Sequence, residues 1–299
     1  MRSGIAAIAL SLACLSAMPA FCGEAGGAAT VSYLGPAGTY TEEAAQFFFT
    51  DGEELVPQET VADAIAEVQE GRADFAVIPQ ENTVGGAVND YVDALIRTED
   101  VSVVGEVILP ISQTLMGVPG TDISGIKTVC SHAQGIAQSA KWREENMPDA
   151  ETEEMTSTAA AAEYVAEQKD PAIAAIAAPG AAELYGLEVL AENVQITDAN
   201  KTRFYVLAAA EPEEYEGSRA AFVASCGADK IDDIITAFHE AGLEFVALHD
   251  RPEGSALGTY NYIFEVKNDE GITEDQIEEA LAGEDLRLLG CFDMIEKTA

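Results

Sequence analysis

Three times between Val31 and Trp142 the chain runs from a short apolar strand through a polar turn into a helix. Val31-Ser-Tyr-Leu34 leads through Gly35-Pro-Ala-Gly38 into a helix over Glu43 to Phe49, opened by Thr39 with Glu42 three residues on, a capping-box spacing. Phe75-Ala-Val-Ile78 leads through Pro79-Gln-Glu-Asn-Thr-Val-Gly-Gly86 into a helix over Val88 to Ile96. Lys127-Thr-Val-Cys130 leads through Ser131-His-Ala-Gln-Gly135 into a helix carrying Gln138 and Trp142. This recurrence predicts an α/β sheet with helices on its faces. Ligands in such sheets gather at the carboxyl ends of the strands, where these turns lie.

The intervening segments fit the same plan. Val61 to Val68 has apolar residues at helical spacing, Val101 to Ile111 is an apolar strand region, and Thr156-Ser-Thr158 opens a helix over Ala159 to Glu167. Ala172 to Ala178 reads as a strand. The stretch Asp198-Ala-Asn-Lys-Thr-Arg-Phe204 then joins Asn200, Thr202 and Arg203 to the strand Phe204 to Ala208, a placement from which polar groups project into a cleft. Two α/β lobes with a cleft between them are the expected arrangement. The first turn, glycine-rich at a helix amino terminus, suits an anion, but it carries neither the GK[ST] of a Walker loop nor a GxGxxG.

A composition shift at Glu211-Pro-Glu-Glu-Tyr-Glu-Gly217 marks a linker over 211–218 between a two-lobed region, 29–210, and a second domain, 219–299. That domain reads strand (Ala220 to Ser225), helix (Ile231 to Glu240), strand (Phe245 to Leu248), strand (Thr259 to Val266), helix (Glu274 to Leu281) and strand (Leu286 to Leu289). The order βαββαβ is ferredoxin-like. Nothing in it has catalytic character, which favours a regulatory or dimerising module.

Charge excludes several partners. With 53 acidic against 15 basic residues the net charge is -38, unsuited to nucleic acid or an anionic membrane, while 48% hydrophobic residues suffice for a packed core. Met1-Arg-Ser-Gly followed by a mostly apolar run from Ile5 to about Cys22 has the form of a secretory leader over 1–28, which predicts export. Cys130, Cys226 and Cys291 are widely spaced, as are His132, His239 and His249, so neither a disulfide framework nor a metal site is expected.

Five motifs in register resemble the prephenate dehydratase family with its carboxyl-terminal ACT domain: Tyr33-Leu-Gly-Pro-Ala-Gly-Thr-Tyr-Thr41, Ile78-Pro-Gln-Glu-Asn-Thr-Val-Gly-Gly86, Ser131-His-Ala-Gln134 with Gln138, Ala181-Ala-Glu-Leu-Tyr-Gly-Leu187 and Asn200-Lys-Thr-Arg-Phe204. The resemblance implies lobes like those of type 2 periplasmic binding proteins and the cofactor-free conversion of prephenate to phenylpyruvate, in phenylalanine biosynthesis. By the same analogy Thr202 is the catalytic residue, assisting the leaving hydroxyl, and Asn82, Thr83, Ser131 and Gln138 bind and orient substrate. Arg203 and Phe204 complete the Thr-Arg-Phe signature, Arg203 either binding a carboxylate or bracing its loop. The family's assembly implies a homodimer or homotetramer. Read without the resemblance, Asn82 equally suits a turn brace, Ser131 a helix cap, Gln138 a solvated helix position and Arg203 a surface ion pair.

The sequence also departs from the family. Met155 stands where some members are acidic, and Thr83 where Ser is usual. In the segments that form the family's phenylalanine site, Gly-Ala-Leu is replaced by Asp229-Lys230-Ile231 and Glu-Ser-Arg-Pro by His249-Asp250-Arg251-Pro252. These departures count against feedback inhibition by L-phenylalanine and leave dimerisation standing. Two alternatives are an arogenate or cyclohexadienyl dehydratase, which the export signal favours, and an exported non-catalytic small-molecule binder, against which Asn-x-Thr-Arg-Phe argues.

Overall fold

The structure, a computed structural model, describes residues 28–197, 199–209, 217–254, 257–282 and 285–298. The expected leader lies outside them apart from Ala28, as does most of the expected linker.

The first lobe is built from β1 (Thr30–Leu34), α1 (Tyr40–Phe48), β2 (Glu54–Gln58), α2 (Val61–Gln69), β3 (Phe75–Asn82), β4 (Gly86–Ala87), α3 (Asn89–Arg97) and β5 (Ser102–Pro110). Its helices begin where side chains can take the orphan amides of the first turn: Thr39 accepts from the Glu42 N–H and Thr60 from the Asp63 N–H. The capping box expected at Thr39 is displaced by one residue, because the Glu42 carboxylate reaches the Gly38 N–H at 2.5 Å. That N–H of the glycine-rich turn is therefore satisfied by the chain itself.

The second lobe follows as β6 (Thr114–Gly117), β7 (Thr128–Ser131), α4 (Ala133–Gln138), α5 (Ala140–Asn146), β8 (Glu151–Glu154), α6 (Thr158–Gln168), β9 (Ile173–Ala177), α7 (Pro179–Tyr185) and β10 (Glu188–Ala191). These strands form a five-stranded sheet in the order β10-β6-β9-β7-β8. The chain then returns as β11 (Lys201–Ala208), inserting antiparallel between β3 and β5 of the first sheet. Two crossings between the sheets make the two-lobed α/β arrangement the sequence predicts.

The remaining domain runs β12 (Arg219–Gly227), α8 (Ile231–Glu240), β13 (Glu244–Pro252), β14 (Thr259–Lys267), α9 (Glu274–Leu281) and β15 (Leu286–Phe292), with sheet order β13-β14-β12-β15. That is the expected βαββαβ unit, and Thr273 with Gln276 forms its predicted capping box. One face of its sheet packs on α8 and α9 through Phe222, Phe238 and Phe264. The other packs on the first lobe, where Ala221, Val223, Ile263, Leu289 and Phe292 share a core with Ile65, Leu95, Tyr91 and Tyr205. The approach is close: a Cβ on Gly290 would lie 2.1 Å from the Val103 carbonyl oxygen of β5. A last strand, β16 (Met294–Glu296), leaves this domain and pairs parallel with β5, so the first sheet runs β16-β5-β11-β3-β1-β2 with β4 on β3.

Pro79 to Asn82, expected as a turn, continue β3 instead. Proline is tolerated because β1 pairs with β3 only as far as Val77, leaving the missing N–H beyond that ladder.

Candidate active site

Strands β3 and β11 carry the site between them. Thr202 lies opposite Asn82, and one position further on the register slips: Arg203 faces Glu81, but Phe204 faces Pro79. Gln80 is thus an extra residue, a bulge. Its consequence follows from the two-residue alternation of a strand. Ala76 and Ile78 point to the face shared with the βαββαβ domain and Val77 to the opposite core. After the extra residue Asn82 returns to the face of Thr202.

The Asn82 amide is oriented by donors that cannot reverse. Its Oδ1 accepts the backbone N–H groups of Val84 (3.0 Å) and Gly85 (2.9 Å) and the Gln134 Nε2 of the second lobe (3.0 Å). Its Nδ2 therefore faces Thr202 Oγ1 at 2.9 Å and Asn200 Oδ1 at 2.8 Å. Since the Thr202 oxygen accepts from Asn82, its own hydrogen remains for another acceptor. Asn200, 1% exposed, passes the network on, donating to Gln138 Oε1 at 3.0 Å, which also accepts from Gln113 at 3.2 Å. Val84, Gly85, Gln134, Gln138, Ile196 and Asn200 are among the residues lining a cleft of about 330 Å³ between the lobes. Gly85 leaves room for the Gln134 bond to Asn82, because a Cβ there would meet Gln134 Nε2 at 2.5 Å. Tyr185 of the second lobe also spans to the first, donating to the Ala37 carbonyl at 2.8 Å.

The predicted residues divide. Asn82, Thr202 and Gln138 come together in this network. Thr83 stands at its edge, its hydroxyl donating to the Ala199 carbonyl (3.1 Å) and accepting the Lys201 N–H (3.0 Å), which ties the two turns. Ser131 is fully buried beneath α4 and donates to the Ile176 carbonyl at 2.7 Å. Its neighbour Gly135 could not carry a Cβ, which would lie 2.3 Å from the Ser131 hydroxyl. Ser131 therefore shapes the floor of the cleft rather than facing it. Phe204 is core, packed with Val31, Val77 and Val107.

Arg203 points to the opposite face, as alternation along β11 requires. Its guanidinium pairs with Glu106 and Glu265, and with Glu81 at 3.3 Å. Of the two roles expected for it, bracing is the one its surroundings supply; no substrate carboxylate is needed to satisfy it. These carboxylates hold Arg203 well above its ordinary pKa against the opposing effect of burial, while burial pushes Glu106 up against the pull of Arg203. Among the described residues no group of His, Cys, Asp and Glu is arranged to hold a metal ion. Burial, with Glu153 nearby, pushes the Cys130 thiol up to about 11, so it is protonated at neutral pH.

The segments Asp229-Lys230-Ile231 and His249-Asp250-Arg251-Pro252 also face inward in part. His249 is buried edge-on against Tyr91 of α3 at 5.8 Å, and Arg251 grips Asp93 of the same helix at 2.7 and 2.8 Å. Asp250 and Pro252 are exposed. Asp229 and Lys230 lie in a turn ahead of α8, where Lys230 reaches Asp233 at 3.1 Å, and Ile231 begins the helix.

Sequence reasoning left Gln134, Asn200 and Gln113 without assigned roles. Gln134 closes the Ser-His-Ala-Gln motif and Asn200 opens Asn-Lys-Thr-Arg-Phe. Gln113 had a weaker signal, a polar residue between the apolar segments Val101–Ile111 and Leu115–Met116.

Two α/β lobes closing on a cleft of uncharged side chains, with a βαββαβ domain packed behind, define a two-lobed cleft fold with an appended module. The family model for prephenate dehydratase matches residues 31–212. The prephenate dehydratase of Amycolatopsis methanolica is 35% identical over 88% of this chain and 88% of its own length, and that of Lactococcus lactis 33% identical over 80% and 87%. The solved prephenate dehydratase of Arthrobacter aurescens, in complex with L-Phe, superposes with a TM-score of 0.78 at 30% identity, covering 88% of this chain and 90% of that one. This chain belongs to the prephenate dehydratase family.

Proposed function

We propose that the chain converts prephenate to phenylpyruvate, carbon dioxide and water without a cofactor. The observation that carries this reading is the network that borders the cleft through Asn200 and Gln138, in which Asn82 donates to the Thr202 oxygen and leaves the Thr202 hydrogen available. As the ring carboxylate departs as carbon dioxide, its bonding electrons enter the ring and expel the hydroxyl, which takes up a proton to leave as water. A hydrogen bond from Thr202 stabilises the negative charge that develops on that oxygen. Aromatisation drives the step, so orientation and this one contact carry most of the catalysis. Asn82 fixes the Thr202 oxygen, while Asn200, Gln134 and Gln138 turn the amide hydrogens that the network does not use to the ring and its substituents.

The test is phenylpyruvate formation, read by its enolate absorbance in alkali. Wild type should turn prephenate over, and Thr202→Ala should lose turnover with an unchanged circular dichroism spectrum. No turnover by folded wild type would overturn the reading, with arogenate as the next substrate to assay.

The βαββαβ unit is read as an ACT domain through which the chain dimerises, which light scattering tests. In this chain His249 and Arg251 are engaged by α3. Millimolar L-phenylalanine should accordingly inhibit weakly or not at all; strong saturable inhibition would show that the altered segments still build an effector site.

A further inference from the structure

We propose that Glu265, on β14 of the βαββαβ domain, is a positioning residue for this dehydration, acting from behind the sheet on the strands that carry Asn82 and Thr202. The proposal rests on the function assigned above. Glu265 is 2% exposed, although it sits between two domains. One carboxylate oxygen takes the Arg203 guanidinium. The other accepts the Tyr205 hydroxyl at 2.7 Å and the Gln80 side-chain amide. The His249 imidazole lies 3.8 Å away.

These partners are not scattered. Arg203 and Tyr205 are the rear-facing residues on either side of Phe204 in β11, and Gln80 is the extra residue of the β3 bulge. That bulge sets the parity bringing Asn82 to the cleft face beside Thr202. A single carboxylate thus grips the rear of both strands at the point where their register slips. Bulges re-aim side chains, and a one-residue change of register turns a strand's side chains to the other face. A slide of β3 by one residue would turn Asn82 away from Thr202. Glu106 and Glu81 also hold Arg203, but neither is bonded to Gln80 or Tyr205.

Glu265→Gln in the full chain keeps the shape and removes the charge. We expect kcat to fall about tenfold or more, with KM within about threefold, because the loss is of alignment rather than affinity. In a Thr202→Ala background the same change should have less than about a twofold further effect, since both act through one hydroxyl. Hydrogen exchange gives a readout that needs no turnover: backbone amides of 79–85 and 200–206 should exchange about tenfold faster, with Ile173–Ala177 of the second lobe unchanged as the internal reference. Wild-type kcat with wild-type exchange in those segments would overturn the proposal, as would an equal loss in the Thr202→Ala background. If Glu265→Gln does not fold, Tyr205→Phe removes one donor while keeping the ring, and the same split and exchange pattern must appear in weaker form or the proposal fails. Wild-type turnover, assayed alongside, reports separately on the assigned function.

Discussion

The two faces of strand β11 solve opposite problems with side chains one residue apart. On the cleft face, Thr202 joins Asn82, Asn200 and Gln138 in a network without a formal charge. On the rear face, Arg203 sits among Glu106, Glu265 and Glu81, with the Glu106 and Glu265 side chains 0% and 2% exposed. A neutral buried group left without its hydrogen bond costs about 1–3 kcal/mol, whereas a buried charge left without its partner costs about 3–5 kcal/mol. The rear cluster therefore carries more of the fold's stability than the cleft network, and the strand between them transmits position rather than charge.

The sharpest way to break that contrast is Arg203→Met. Leaving Glu265 buried without its arginine, and Glu106 with only Arg219 at 3.6 Å, should lower unfolding stability by about 3–5 kcal/mol in urea titrations. A loss below about 1 kcal/mol would mean that the carboxylates are satisfied elsewhere. Thr202→Ala should do the reverse: kcat down about 10²- to 10³-fold, with little change in stability. Comparable stability losses in the two variants would erase the distinction between the faces. Gly85→Ala sharpens the cleft side alone. Its Cβ would come 2.5 Å from Gln134 Nε2, the end of a flexible side chain that can move aside. Loss of the Gln134 bond to Asn82 should raise KM several-fold with an unchanged unfolding midpoint.

The smallest effect belongs to the half-exposed pair Arg251–Asp93, a salt-sensitive surface contact beside the buried cluster. The hydrogen bond from Arg251 holds the Asp93 carboxyl below its ordinary value. A depressed carboxyl stabilises the fold above its unfolded pKa, about 3.9, and that contribution disappears as pH falls through the folded value. Asp93→Asn should slightly lower the unfolding midpoint at neutral pH and at low salt, and the difference from wild type should close at acid pH. A difference that persists in acid would assign the contact to packing instead.

Much of this arrangement was legible in the sequence because it is local. Strand–turn–helix recurrence placed the lobes, and the alternation of elements after the linker placed the βαββαβ domain. What escaped was non-local or lacked a pattern. β8 is Glu151-Thr-Glu-Glu154, exposed along its length, so no apolar alternation announces it. The bulge at Gln80 exists only through pairing with β11, more than a hundred residues later in the chain. Without that pairing, Pro79 and its polar neighbours read as a turn. Arg203 carried a motif but not its partners, since Glu106 and Glu265 are distant in sequence and meet it only when β5, β11 and β14 assemble. A cation in an acidic chain suggests an anionic ligand; here the anions are its own.

Strand β16 bears on how freely the two halves of this protein could be exchanged. The βαββαβ domain looks like a module attached by one tether, yet the chain leaves it to lay β16 along β5, with Lys297 reaching Glu43 at 2.8 Å. It is stitched to the first lobe at both ends. A recombination that swapped this domain for another would carry away an edge strand of the sheet holding the cleft and leave β5 open to pairing with foreign strands. During synthesis, too, that edge waits uncovered until the whole appended domain has been made. The seam between the halves is not a place where this protein can be cut and rejoined.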